Sequence, residues 1–181
     1  IAEVGEGKFS VGMGLVGPHD DGGWSQAHYE GLDYSAKNMP DAHVADVENV
    51  PEGADSEQAF RSLARKGFKL IFGTSFGFMD PMEIVAGEFP DIMFIHLTGY
   101  KANGTNFGNL MGAMENMKYL AGILAGARAK MDGNPKLGYM ATFPIPEELR
   151  LGNAFMLGAK KSCPECTMDV RWLNTWHDPV S

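Results

Sequence analysis

The sequence predicts an α/β fold in which a parallel sheet is flanked by helices. Short β-rich runs alternate with longer stretches of helical periodicity along the whole chain, the pattern left by parallel strands joined through crossover helices. Start and stop signals for the helices fall between those runs, and 181 residues at 44% apolar content suffice for a hydrophobic core.

Strands are expected over residues 9–16, 43–48, 70–73, 93–97, 136–141 and 168–173, with helices over 25–38, 56–66, 81–88, 114–131 and 146–161. Asp55 with Gln58 opens the second helix as a capping box, and Asp80-Pro81-Met82-Glu83 opens the third with a carboxylate before a proline at the first helical position. Gly67 and Pro90 stop the same two helices. In the fourth, Met114, Met117, Leu120, Ile123 (or Leu124) and Ala127 share one face and are expected in the core, while Gly122 and Gly126 permit close approach of a neighbouring backbone. The turn Asp132-Gly133-Asn134-Pro135 separates an N-terminal α/β lobe (1–132) from the start of a second one (133–181). Two strands and one helix are too few to close that second sheet, so the chain is expected to be cut short.

Charge and length exclude several classes. Fifteen Lys and Arg against 23 Asp and Glu give a net charge of −8, unfavourable for nucleic acid, which is bound through clustered bases. The longest mostly apolar run, 119–127, is far short of the ~20 residues that span a bilayer. The chain begins at Ile1 with no basic-then-apolar leader, so any export signal is expected to have been removed or to lie outside this sequence.

In an open parallel sheet, ligands sit beyond the carboxyl ends of the strands, at the reversal of strand order in a 2-1-3-4-5 arrangement. That rule selects the loops 17–25 and 74–80, both rich in Gly, aromatic rings and short polar side chains. Trp24 follows two glycines at the mouth of a helix and is the first choice to offer a flat face to a planar ligand; packing on its own helix is the alternative.

Three chemical motifs carry less. Gly12-Met13-Gly14-Leu15-Val16-Gly17 matches a dinucleotide fingerprint, but its glycines fall inside the strand and the helix opens only near Ser25. Gly73-Thr74-Ser75-Phe76-Gly77 matches a nucleophile elbow. A serine hydrolase using Ser75 with His96 or His177 is therefore one alternative, although a ligand hydrogen bond suits Ser75 better. Cys163-Pro164-Glu165-Cys166 follows a helix instead of opening one, so it reads as a small disulfide loop in an exported protein or as two free thiols otherwise. The five histidines show no ligand spacing, and no metal or cofactor is expected.

Several segments together resemble the basic membrane protein family of nucleoside-binding lipoproteins that serve ABC importers. They include residues 17–25, Glu48-Asn49-Val50-Pro51-Glu52-Gly53-Ala54-Asp55, residues 74–81, Thr98-Gly99-Tyr100-Lys101, Phe143-Pro144-Ile145-Pro146-Glu147 and Asn174-Thr175-Trp176-His177-Asp178-Pro179. The resemblance implies a type I periplasmic-binding-protein fold, no catalysis, and a purine nucleoside or nucleobase held between two lobes. It implies that Trp24 and Trp176 are the two stacking rings, that Asp21 hydrogen-bonds the base, and that Ser75 and Phe76 line the cleft. It further implies an ABC permease as partner, an extracytoplasmic location with a lipid anchor, and a family length well beyond Ser181. Ala113 stands where the family usually has Arg. A ligand-sensing regulator core on the same fold is the second alternative.

Overall fold

The computed structural model describes residues 3–176 and 178. The elements run β1 (Phe9–Gly14), α1 (Trp24–Asn38), β2 (Ala42–Val47), α2 (Ser56–Lys66), β3 (Leu70–Gly73), α3 (Met79–Glu88), β4 (Met93–Leu97), β5 (Phe107–Leu110), α4 (Met114–Met131), β6 (Lys136–Ala141), α5 (Pro146–Ser162) and β7 (Thr167–Trp172). Two compact units result, Ile1–Met111 and Gly112–Ser181. The division falls earlier than the expected 132/133, because α4 packs along α5 and groups with the second unit.

In the first unit five strands form one parallel sheet in the order β2-β1-β3-β4-β5, the 2-1-3-4-5 order on which the ligand-site rule depends. The period of two along β1 sorts its side chains onto two faces. Met13 joins Leu15 and Leu32 in a small cluster under α1, with Val11, Tyr29, Val44 and Phe72 against it. Gly12 and Gly14 face the opposite layer, where α2 and α3 bury Phe60, Leu63, Met82, Val85 and Ala86 with Phe68, Ile71, Phe78 and Phe94. A Cβ on Gly14 would lie 2.8 Å from the Phe60 ring, and one on Gly12 would lie 3.2 Å from Phe68. The glycines that imitate a dinucleotide fingerprint are thus the room in which aromatic core residues sit.

The short strand β5 was not read from the sequence. It is anchored by Asn106, whose side-chain amide donates to the carbonyls of Ala86, Phe89 and Ile92 and so fastens the end of α3 to the sheet edge. Helix α3 also begins earlier than its sequence signals suggest. A 3₁₀ turn at Phe76–Phe78 leads directly into Met79, and no side-chain cap is formed. Asp80 therefore lies inside the helix and pairs with Lys101 at 2.9 Å, as Glu83 does at 2.7 Å. Asp55 does not cap α2 with its side chain either; Ser56 Oγ instead donates to the carbonyl of Gly53. Gly67 does end α2, in the left-handed conformation at φ 97°.

The second unit pairs β6 with β7 in parallel and packs α4 on α5. The helices meet through glycines. A Cβ on Gly122 would fall 1.9 Å from the Phe155 carbonyl oxygen, and one on Gly158 would fall 2.0 Å from that of Tyr119. This small-residue seam turns the expected apolar stripe the other way: Met114, Met117 and Leu120 are exposed, and the buried residues of α4 are Gly122, Gly126 and Ala129. Cys163 and Cys166 form a disulfide. Both are fully buried in a cluster with Ala129 and Leu137.

Candidate functional site

The carboxyl ends of β1, β2 and β3 are in register, Gly14 opposite both Val47 and Gly73. The loops that follow these strands share one end of the first sheet. Their internal bonds decide which groups are left to meet a ligand.

Asp21 organises the first loop. Its Oδ1 accepts the backbone N–H of Gly23 at 2.8 Å and of Gln26 at 3.0 Å, and its Oδ2 accepts that of Ser25 at 2.9 Å. The Ser25 hydroxyl donates to the same carboxylate and accepts the N–H of Gly17. Three of the about four lone-pair positions of the carboxylate are thus taken by backbone amides of its own loop and of the first turn of α1. Asp21 does from two residues ahead of Gly23 what an N-cap does, satisfying the open amides of α1. Burial alone would raise the Asp21 pKa, but the N–H groups of Gln26, Ser25 and Gly23 and the Ser25 hydroxyl outweigh it and hold the carboxyl below its ordinary value. Asp21, which the resemblance assigns to the base, thus also builds the loop that carries Trp24. Gly22, at φ 69°, makes the turn possible.

Trp24 is half-buried and belongs to neither hydrophobic cluster of this unit. Its indole Nε1–H donates to the carbonyl of Thr74 at 2.5 Å, which ties the first loop to the end of β3. The ring leans on His28, with centroids 4.3 Å apart and planes at 52°, and His28 Nδ1 donates to the Trp24 carbonyl. With its single donor engaged, the indole has only its ring surface to offer.

Ser75 is 3% exposed. Its hydroxyl donates to Glu52 Oε1 at 2.5 Å, and the same oxygen accepts the Gly77 N–H at 2.8 Å. His96, fully buried, donates from Nε2 to the Ser75 carbonyl at 2.6 Å. Burial lowers the His96 pKa against the opposing pull of that bond and of Asp80 and Glu52, keeping the ring neutral. No serine–histidine hydroxyl pair arises between Ser75 and His96, since the imidazole meets the carbonyl; His177, the other partner considered, lies outside the described residues. Ser75 is therefore a fastening of the second loop, while Phe76 between it and Gly77 is half-buried against the core.

Glu52 went unread because it reaches Ser75 from a loop 23 residues away. A second grouping missed in the same way is His19 with Asp46 and Glu48, whose ligand-type atoms lie within 4.8 Å of one another. His19 Nδ1 is 2.8 Å from Glu48 Oε1, its backbone N–H donates to Glu48 Oε2, and its ring stacks on Tyr29 at 4.6 Å. Burial, then the neighbouring Glu48 charge, raise the Asp46 pKa. The group ties the first loop to the end of β2.

In the second unit Trp176 follows β7 and is half-buried, its ring 4.9 Å from that of Phe143. Asn174, at φ 57°, turns the chain after the strand, and its N–H donates to the carbonyl of Thr142.

Comparison with known proteins first gives the class. The crystal structure of an ABC transporter solute-binding protein from Aeropyrum pernix aligns with a TM-score of 0.80 at 21% identity, over 94% of this chain and 49% of that one, and the fold is that of the type I periplasmic binding proteins. A family model described as ABC transporter substrate-binding protein PnrA-like matches residues 8–181, and the chain belongs to that family, Bmp. Its members are substrate-binding proteins and not enzymes, and membership implies an extracytoplasmic location. No helix among the described residues is long and apolar enough to cross a membrane. A purine-binding protein of Brucella abortus is 40% identical over 96% of this chain and 49% of its own length. A putative ABC transporter glucose-binding protein of Haloferax volcanii is 40% identical over 88% of this chain and 39% of its own length. The chain thus spans half or less of these curated relatives.

Proposed function

We propose that the protein delivers a purine nucleobase or nucleoside to the permease of an ABC importer, holding it by ring stacking and without chemical change. The observation that carries this reading is the Trp24 indole: outside the core, at the carboxyl end of the sheet beside the reversal of strand order, and fixed by its N–H on Thr74. An aromatic face immobilised in this way suits a flat heterocycle, since little side-chain freedom remains to be lost on binding. Phe76 and Trp176 are the further ring contacts, and a lipid anchor would hold the protein at the membrane surface. Asp21 and Ser75 serve by shaping the loops. The purine-binding relative supports the ligand class.

The test is mass spectrometry of small molecules released from the purified protein, followed by calorimetric titration with adenine, adenosine, guanosine and, because of the name of the Haloferax relative, glucose. Purine binding with no turnover is expected. Trp24→Ala should weaken it about tenfold or more, because stacking contributes ~1–3 kcal/mol per base. Sugar binding with no purine binding would overturn the assignment.

A further inference from the structure

The residues on either side of Phe76 are held from two directions. Glu52 Oε1 accepts the Ser75 hydroxyl on one side of Phe76 and the Gly77 N–H on the other. A single carboxylate oxygen thus grips both neighbours of one aromatic residue. The position after that residue is a glycine for a local reason: a Cβ on Gly77 would lie 2.7 Å from the Glu52 carboxyl group. From the opposite side His96 Nε2 donates to the Ser75 carbonyl, and the Phe78 N–H donates to that same carbonyl. Glu52 itself stands one residue before Gly53, whose φ of 79° starts the short 3₁₀ turn Gly53–Asp55. The carboxylate is therefore presented from the turn that connects β2 to α2.

We propose that Glu52 is a positioning residue of the ligand site, holding the Phe76 ring in the orientation that meets a planar ligand by clamping Ser75 and Gly77. The inference rests on the ring-binding reading above and deepens it. Since Oε1 takes two donors, it acts as acceptor to both, and the Ser75 hydroxyl proton points to Glu52 and away from any ligand. The Thr74 and Ser75 side chains are buried, and Phe76, half-buried with part of its ring against the core, is the group of this loop that remains partly open. Gln at position 52 still offers a carbonyl oxygen to both donors, whereas Ala offers none.

The experiment is a double-mutant cycle on the whole protein, with adenine and adenosine as calorimetric probes and amide hydrogen exchange of residues 75–78 recorded without ligand. Glu52→Ala should weaken binding about tenfold and deprotect the Gly77 amide. Glu52→Gln should restore most of both. Phe76→Ala should weaken binding at least as much, and adding Glu52→Ala to it should cause little further loss, because a residue acting through another is not additive with it. Unchanged affinity in Glu52→Ala, or full additivity with Phe76→Ala, overturns the proposal. If the unsubstituted protein binds neither probe, the purine reading falls. The clamp is then decided by exchange alone: loss of protection in Glu52→Ala with recovery in Glu52→Gln sustains it, and unaltered protection overturns it.

Discussion

Single side chains in this protein do structural work that their chemistry would also suit for recognition. Asp21 looks like a ligand acceptor, and it also accepts three backbone N–H groups of its own loop and of the start of α1. Its folded pKa lies below that of the unfolded chain, so its contribution is complete above the ordinary Asp value of about 3.9 and is lost as pH falls through the lower folded value. Asp21→Ala should cost about 1–2 kcal/mol at pH 7, in the range of a lost cap. Urea unfolding repeated between pH 7 and pH 3 should show that gap closing below about pH 4; a gap independent of pH would exclude ionic capping. The loops 17–25 and 74–80 were legible as the ends of β1 and β3, where the sheet rule looks for a ligand, because the alternation of strand and helix and the loop composition are written in short stretches of sequence. The sequence did not disclose which protein groups Asp21 and Ser75 bond. That depends on Ser25, Gln26 and Glu52 arriving at particular angles, and Glu52 comes from a different connection.

At the level of elements, most strands were readable because short β-rich runs such as Leu70–Gly73 and Met93–Leu97 alternate with longer stretches of helical period. The edge strand β5 was not: Phe107–Leu110 holds Gly108 and Asn109, and only its first residue is buried. What makes it a strand is the pairing with β4 and the Asn106 fastening. Helix α4 misled for another reason. Its apolar residues are numerous, but the partner helix selects the face allowing the closest backbone approach, and that face carries the glycines. A substitution there acts on two helices at once. Gly158→Val should destabilise the second unit by several kcal/mol, because the added atoms meet the Tyr119 carbonyl and not a flexible side-chain end. Leu124→Ala, on a residue 72% exposed, should change stability by less than about 0.5 kcal/mol. Thermal melts of the two variants check the contrast, and equal effects would place the helix contact elsewhere.

Over the whole molecule, family membership and the Cys163–Cys166 bridge point to the same oxidising surroundings outside the cytoplasm. The bridge closes a ring of four residues, so it contributes roughly 2 kcal/mol in the chain-entropy account. Thiol titration should find no free thiol in the native protein, even with mild reductant, since both cysteines are fully buried. Reduction under unfolding conditions should expose two thiols and lower the midpoint on refolding by a few degrees; two reactive thiols in the untreated protein would refute the bridge. A final consequence attaches to β1. The notch left by Gly14 and the phenyl ring of Phe60 divide one fixed volume between a strand and a helix. Across related chains, a methyl group appearing on the strand should be accompanied by a smaller residue on the helix, so the two positions change together or not at all. The space that resembles a phosphate cradle in the sequence is inherited as a paired constraint of the interior.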